Sequence, residues 1–329
     1  MNNKMKNLLS YKKLKRLFFL NNKSFKYIII FLLIICNEVM IFSSSQKKIK
    51  TNSHYIFTFW EPSNSMPGYI NLCINTWKKY LPNFYKVIIL DYNNLKEYLD
   101  KKIINKILFK QMTLPIQADA IRVAVLQKHG GFWMDCDTII TNSSFMNMFY
   151  GSDLIMFGSS KQNILHTGFI YASNNSTILK AWLGEIIKRT RIYNQKLILN
   201  RIFPIKLFNK SFNQLLTWNY LGNGIINEIV KNTSTQSFKL IERDEAYALP
   251  DMFLYKEPVK SYRDFYFTDR DPEPILKKCK GILLLHNSWT KDIYKKMSQK
   301  EFLHQDILLA RLLLSLLYNG STILDNKWK

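Results

Sequence analysis

Short apolar runs alternate with stretches of helical periodicity from about residue 53 onward. Residues 55–60 form a β-rich run that ends in a turn, and Val87–Leu90 is a continuous apolar run typical of a buried parallel strand. Between these runs, Pro67 suits the first turn of a helix and Pro82 ends it. Its apolar residues recur at helical spacing: Ile70, Cys73, Ile74, Trp77 and Leu81. Strand, helix and strand in this order predict a βαβ unit, the start of a nucleotide-binding half-fold.

The same alternation continues toward the C-terminus. A helix is predicted to follow Pro115 and to end at Gly130-Gly131, and residues 132–134 form a strand that leads into Asp135-Cys136-Asp137. Further strands are predicted at Leu154–Phe157, Phe169–Ala172 and Ile282–Leu285, and further helices at Ser176–Arg189 and at about 299–318, where Ser298 and Glu301 form a capping box. Residues 190–215 are interpreted as an insertion. The pattern predicts an α/β domain over residues 51–329.

The first fifty residues form a separate basic and apolar segment. Phe25–Phe42 is 18 residues long, which as a helix spans about 27 Å against roughly 30 Å of hydrocarbon. Three interpretations remain open: a signal-anchor helix, a cleaved signal peptide and a basic interfacial helix. A start codon assigned upstream of the true one is a fourth explanation. We expect membrane attachment through residues 25–42.

Charge and composition narrow the choice of partners. The net charge is +23, of which residues 1–50 contribute +10 through eleven Lys and Arg against the single Glu38. A basic chain favours anionic partners such as nucleotide-sugar phosphates or acidic lipid head groups. No nucleic-acid-reading motif accompanies the charge, so no nucleic-acid partner is expected. Four widely spaced cysteines lack metal or redox spacing and are expected to be reduced: Cys36, Cys73, Cys136 and Cys279.

The most informative chemistry lies in the D-x-D spacing of Asp135 and Asp137 at the end of a predicted strand. Alternate residues of an extended segment point the same way, so both carboxylates can face one ligand. Hard oxygen ligands suit Mg²⁺ or Mn²⁺, which also binds the phosphates of a nucleotide sugar. An isolated D-x-D is more often a solvated turn. Here it follows a helix, Gly130-Gly131 and an aromatic strand, and this context favours a metal and diphosphate site.

The segment Gln117-Ala118-Asp119-Ala120-Ile121-Arg122, together with Gly130-Gly131-Phe132-Trp133-Met134-Asp135-Cys136-Asp137, resembles the DxD sugar-transferase signature of the capsular polysaccharide synthesis family. That family is similar to glycosyltransferase family 32 and to the glucosylating domains of clostridial toxins. The resemblance covers roughly residues 53–290 and leaves residues 1–50 outside. It implies a GT-A fold, in which a Rossmann-like half carries a mixed central sheet. It also implies a divalent cation, a nucleotide-sugar donor and retention of anomeric configuration.

The resemblance assigns roles to five residues. Asp137 resembles the direct metal ligand, and Asp135 the residue shared between the ribose and the metal-bound diphosphate. Asp119 and Arg122 match the pair that binds donor-sugar hydroxyls, although the same pair is also explained by an i,i+3 salt bridge on a helix face. Trp60 resembles the aromatic residue that stacks on the nucleobase, and its alternative is a core tryptophan.

Three further residues and two glycine-containing loops complete the expected site. His286, Ser288 and Trp289 resemble the C-terminal element that closes over metal and diphosphate, with His286 as a third metal ligand. A histidine with local partners at a strand end is the alternative. The loops Gly222-Asn223-Gly224 and His166-Thr167-Gly168 fall where related enzymes place acceptor-side or donor-side loops.

The leading hypothesis is retaining glycosyl transfer in capsular or cell-surface polysaccharide assembly. The acceptor is expected to be a glycan or a lipid-linked oligosaccharide, at the cytoplasmic face of the cell membrane. A toxin-like transferase that glycosylates a protein is the second hypothesis. The third is a catalytically silent glycan- or membrane-binding module, which is expected to have lost a metal carboxylate, whereas Asp135 and Asp137 are both present.

Overall fold

The computed structural model describes residues 54–108, 112–149, 151–161, 164–202, 220–233, 237–242, 265–279, 281–285 and 287–318. Its strands are β1 His54–Phe59, β2 Tyr85–Leu90, β3 Gly131–Met134, β4 Thr138–Ile140, β5 Leu154–Ser159, β6 Ile164–Ala172, β7 Phe238–Glu242 and β8 Ile282–Leu284. Its α-helices are α1 Gly68–Tyr80, α2 Leu95–Tyr98, α3 Lys101–Ile107, α4 Leu114–His129, α5 Thr177–Ile202, α6 Asn223–Lys231, α7 Glu273–Lys278, α8 Asp292–Lys295, α9 Gln299–Leu303 and α10 Leu308–Tyr318. The predicted N-terminal segment, residues 1–50, lies outside the described residues.

A six-stranded mixed sheet forms the centre of the described domain, in the order β2-β1-β3-β6-β5-β7. β1 pairs in parallel with both β2 and β3, and β6 is antiparallel to β3 and β5. β4 and β8 form a separate antiparallel pair. The predicted βαβ unit of β1, α1 and β2 and the predicted mixed sheet are both confirmed. The parallel strands β1, β2 and β3 all end at one edge, where α/β sheets bind their ligands.

The sheet separates two hydrophobic clusters. Ile56 and Phe132 pack into one cluster with α1, α9 and α10, whereas their neighbours Phe57 and Trp133 pack into the other with α4, α5 and α6. Successive side chains of a strand point to opposite faces, so these strands bury both faces. That double burial explains why their sequences are continuous apolar runs rather than alternating ones.

Helix α4 begins and ends where the sequence predicts. Pro115 occupies its first turn, and Gly130 follows its last residue with φ of 67°. A side chain strongly disfavours this left-handed conformation, so glycine is the residue that fits there. Because Gly130 allows this conformation, the chain reverses directly from α4 into β3. Asp119 and Arg122 on the helix are thereby brought next to the end of the strand.

Several predicted elements differ in detail. The expected C-terminal helix over 299–318 is two helices, α9 and α10, because the amides of Leu308 and Leu309 bond the carbonyls of Thr268 and Tyr266. Helix α5 extends to Ile202, into the stretch interpreted as an insertion. The short elements α2, α3, β4, α6 and β7 have weak sequence signals and were not predicted. Cys73, Cys136 and Cys279 are buried free thiols, as expected, and Cys36 lies outside the described residues.

No helix within the described ranges is both long enough and apolar enough to span a bilayer. The predicted anchor at residues 25–42 is outside those ranges.

Candidate active site

The two D-x-D carboxylates lie on a turn between β3 and β4. The carbonyl of Asp135 accepts a hydrogen bond from the amide of Thr138 at 2.9 Å, which is the i→i+3 bond of a β-turn. The expected extended conformation of this segment is therefore wrong, because the chain must reverse to pair β4 with β8. Cys136, between the carboxylates, contacts the hydroxyl of Thr58 at 3.0 Å and fixes the turn against the end of β1.

Asp135 is held by two donors on the same oxygen. Its Oδ1 accepts from Nη2 of Arg122 at 3.2 Å and from Nε1 of Trp133 at 2.8 Å. The Arg122 guanidinium also lies over the Trp133 ring, 5.1 Å from its centroid. The side chain of Asp135 remains 37% exposed. The two hydrogen bonds fix the orientation of Asp135, and its partial exposure leaves the side chain accessible to a ligand.

Asp119 and Arg122 form the expected i,i+3 ion pair, with Oδ1 and Nη2 separated by 3.4 Å, but they are almost fully buried. Arg122 also donates to the carbonyl of Thr167, which precedes Gly168 on β6. Burial is the main cause that raises the pKa of Asp119 to about 6, and the guanidinium opposes the shift. Among the described residues, Nε of Arg122 has no hydrogen-bond partner. The pair is therefore a buried ion pair rather than an exposed salt bridge on a helix face, and its role in binding the donor sugar stays a prediction.

Asp137 is hydrogen-bonded to the residues that follow β8. Its Oδ2 accepts from the amide of Asn287 at 2.7 Å, and its carbonyl accepts from the amide of Leu285 at 3.1 Å. The hydroxyl of Tyr69 in turn donates to Oδ1 of Asn287. Burial and the nearby charge of Asp135 raise the pKa of Asp137 above its usual range. Two carboxylates held this close in a partly buried site favour a cation between or beside them.

The donor set fits a hard divalent cation. The hydrogen bonds described above use Oδ1 of Asp135 and Oδ2 of Asp137, which leaves one oxygen of each carboxylate for a ligand. Within the part of the chain that the structure describes, no three His, Cys, Asp or Glu side chains form a metal cluster, and His286 is outside that part. Mg²⁺ commonly takes one or two carboxylates and completes its shell with water and phosphate oxygens.

Two glycines of the predicted loops, Gly168 and Gly222, lie next to the carboxylates of Asp135 and Asp119. A Cβ atom on Gly168 would lie 2.7 Å from Oδ2 of Asp135, and one on Gly222 would lie 2.6 Å from Oδ2 of Asp119. Real Cβ contacts are longer, so any side chain at either position displaces a site carboxylate. Gly168 and Gly222 therefore lie against Asp135 and Asp119. Residues 166–168 belong to β6 and Asn223-Gly224 begins α6, so the expected loops are wrong as secondary structure, and their acceptor-side or donor-side role stays a prediction.

Trp60 follows β1 at the same sheet edge, and its amide bonds the carbonyl of Leu90 at the end of β2. The ring is partly buried and packs against the core. Its Nε1 is buried without a hydrogen-bond partner in the described ranges. Both the stacking role and the core role remain compatible with this position.

The third group of expected residues is only partly described. His286 lies outside the described residues, so its metal-ligand assignment stays a prediction. Asn287–Trp289 is a 3₁₀ turn in which Ser288 is exposed. Asn287 and Tyr69 were not predicted as site residues, although they hold Asp137. Trp133 was noted only as a strand residue, yet it stands two residues before Asp135, the spacing that places strand side chains on one face.

The fold and the site together define an α/β protein with a pair of acidic residues at the ligand-binding edge of its sheet. Residues 16–198 match the capsular polysaccharide synthesis protein family, and the chain belongs to that family. The matched range starts earlier than the expected residue 53 and ends before the expected residue 290. The mixed sheet of order β2-β1-β3-β6-β5-β7, with helices on both faces, agrees with the predicted α/β fold class.

The similar solved structures are distant. A glycosyltransferase involved in the glycosylation of the major capsid of PBCV-1 is 12% identical over 74% of this chain and 98% of its own, with a TM-score of 0.35. Glycosyltransferase GlyE of Streptococcus pneumoniae TIGR4 is 14% identical over 83% of this chain and 66% of its own, with a TM-score of 0.38. The galactosyltransferase LgtC with donor and acceptor sugar analogs is 9% identical over 82% and 97%, with a TM-score of 0.37. A search of curated proteins finds no match.

Proposed function

We propose that this protein is a metal-dependent, retaining glycosyltransferase of capsular or cell-surface polysaccharide synthesis. It would move a sugar from a nucleotide-sugar donor to a glycan or lipid-linked oligosaccharide acceptor. The main support is the convergence of Asp119, Arg122, Asp135 and Asp137 at the sheet edge where α/β folds bind nucleotides. Membership of the capsular polysaccharide synthesis family supports the same conclusion.

Asp137 and Asp135 would hold Mn²⁺ or Mg²⁺, and the resemblance adds His286 as a third ligand. Burial and, after it, the charge of Asp135 raise the pKa of Asp137, and this supports the proposal because a divalent cation stabilises the ionised carboxylates. When bound, the cation neutralises negative charge on the leaving diphosphate. Asn287 and Tyr69 keep Asp137 in place, while Arg122 and Trp133 do the same for Asp135.

Asp119 and Arg122 would bind hydroxyl groups of the donor sugar. The buried Nε of Arg122, which has no partner among the described side chains and backbone, is a donor available to such a hydroxyl. Trp60 would stack on the nucleobase at the ends of β1 and β2. Ser288 and Trp289 would close over the diphosphate.

We further propose that residues 1–50 attach the protein to the cytoplasmic face of the membrane. Ten net positive charges support this location, because a basic residue near an anionic surface contributes roughly 1 kcal/mol before screening. The nucleotide-sugar donor and a lipid-linked acceptor would then meet at one surface.

A donor screen tests the proposed function. The full chain is incubated with UDP-linked and GDP-linked sugars and Mn²⁺, and released nucleoside diphosphate is measured. We expect release from one donor class, abolished by a chelator and restored by Mn²⁺. The anomeric configuration of the product, read by proton NMR, tests retention. Binding of glycans with no release from any donor contradicts the proposal and favours the silent glycan-binding module.

A further inference from the structure

Helix α5 is attached to the segment that lines the Asp119 side of the site. Nε1 of Trp182 donates to the carbonyl of Leu221 at 2.8 Å, and Nη1 of Arg189 donates to the carbonyl of Tyr220, also at 2.8 Å. These carbonyls belong to consecutive residues. Two side chains about two turns apart on the same face of α5 therefore fix two successive peptide groups.

Arg189 is itself held in place by several contacts. Its Nε bonds Oε1 of Glu185 at 3.1 Å, and its Nη2 lies 3.5 Å from Oε2 of Glu228 on α6. Its guanidinium stacks over the Tyr220 ring, 5.1 Å from the centroid. Trp182 is fully buried. The pair is a rigid connection between α5, the Tyr220–Asn223 segment and the start of α6.

The segment that this connection holds lies against Asp119 of the candidate site. Gly222 follows the two anchored carbonyls, and its Cα approaches Asp119 so closely that a Cβ atom would lie 2.6 Å from Oδ2. The next residue, Asn223, places its Oδ1 in a buried position with no partner in the described structure. A buried carboxamide oxygen without a donor is costly unless a ligand satisfies it.

We propose that Trp182 and Arg189 are positioning residues for glycosyl transfer. They hold the Tyr220–Asn223 segment against Asp119, so that Asp119 and Asn223 present their oxygens to the donor sugar in one fixed geometry. This inference rests on the proposed function. Its physical basis is that misplacement of a reacting group by about 1 Å can lower the rate by as much as ~100-fold.

The test separates positioning from general stability. Arg189→Lys keeps the positive charge but loses the planar group that reaches Tyr220, Glu185 and Glu228 together. Trp182→Phe keeps an aromatic ring and removes only the N–H donor. Lys188→Ala is the matched control, because Lys188 also pairs with Glu185, at 3.1 Å, but on the exposed side of α5.

Turnover of the best donor in the screen, affinity for UDP or GDP by calorimetry, and melting temperature are measured for all variants. We expect kcat to fall roughly 10-fold or more in Arg189→Ala and Trp182→Phe, by the positioning argument above. Arg189→Lys should recover part of that loss. Nucleoside diphosphate affinity should change less than 2-fold, and Lys188→Ala should match the wild type. Hydrogen exchange at the amides of Ile225 and Ile226, which bond the carbonyl of Gly222, should accelerate in Arg189→Ala.

Two results overturn the inference. One is unchanged kcat in both Trp182→Phe and Arg189→Ala. The other is an equal loss of kcat and nucleoside diphosphate affinity in both variants, which indicates general disruption. If the wild type releases no nucleoside diphosphate from any donor, the proposed function fails instead. Hydrogen exchange then still reports whether Arg189 orders the segment.

Discussion

The close approach of Gly222 to Asp119 allows one substitution to be worked out quantitatively. In Gly222→Ala the new Cβ would lie 2.6 Å from Oδ2 of Asp119 and 3.0 Å from its Cγ. Ordinary contact begins at 3.4 Å, so the carboxylate or the segment must move by about 0.8 Å. The carboxylate can rotate away only by weakening its contact with Arg122. A shift of this size predicts a loss in kcat on the order of 10- to 100-fold.

Steady-state release of nucleoside diphosphate measures the loss in kcat, and thermal unfolding measures whether the fold is retained. The fold should survive, because the atoms displaced are the end of one side chain rather than backbone. Gly184→Ala is the control: a Cβ there meets nothing within 4 Å, and alanine in a helix is expected to add about 0.5–1 kcal/mol of stability. Wild-type kcat in Gly222→Ala would falsify the placement of this loop beside the reacting sugar.

Three further predictions follow from the same geometry. The raised pKa of Asp119, about 6, means that the folded protein binds its proton more tightly than the unfolded chain does, so stability falls as pH rises from 4 to 6. The free energy of unfolding, measured with urea at several pH values, should fall less steeply with pH in Asp119→Asn than in the wild type. Equal slopes in the two proteins would contradict the raised pKa of Asp119. Trp133→Phe removes the 2.8 Å bond to Asp135 and should lower both kcat and the free energy of unfolding, the latter by about 1–3 kcal/mol; an unchanged kcat argues against a fixed Asp135. A chain that begins at Lys50 should stay soluble and keep donor turnover while the full chain sediments with anionic vesicles; full-length protein that stays in the supernatant at low salt refutes membrane attachment.

The parts of the site that are close in sequence could be predicted. Asp119, Arg122, Asp135 and Asp137 lie within one helix-to-strand reversal, and Gly130 ends the helix for a local backbone reason. Residue type and spacing therefore carried enough information to place four side chains together. The same local logic predicted the parallel pairing of β1 and β2.

The parts that depend on distant segments could not be predicted. Asn287 reaches Asp137 across 150 residues, and Arg189 reaches Tyr220 across 31. Neither pairing leaves a sequence motif, because a backbone amide or carbonyl is the partner in both. The turn at Asp135 was expected to be extended because local spacing does not reveal that β4 must turn toward β8.

The dependence of turnover on Mn²⁺ in the wild type and in Asp137→Asn shows whether Asp137 holds a catalytic metal ion. Asparagine keeps the shape of Asp137 and an oxygen to accept the amide of Asn287 at its 2.7 Å distance, but it removes the negative charge. Nucleoside diphosphate release is followed as Mn²⁺ is raised from micromolar to millimolar concentrations with donor held saturating. We expect metal-dependent release in the wild type and a loss of at least 100-fold in Asp137→Asn, with unchanged melting temperature, since removing one stabilising group from a transition state commonly costs about 10²–10³-fold. Release at the wild-type rate by Asp137→Asn at limiting Mn²⁺ would show that Asp137 is not a ligand of a required metal ion.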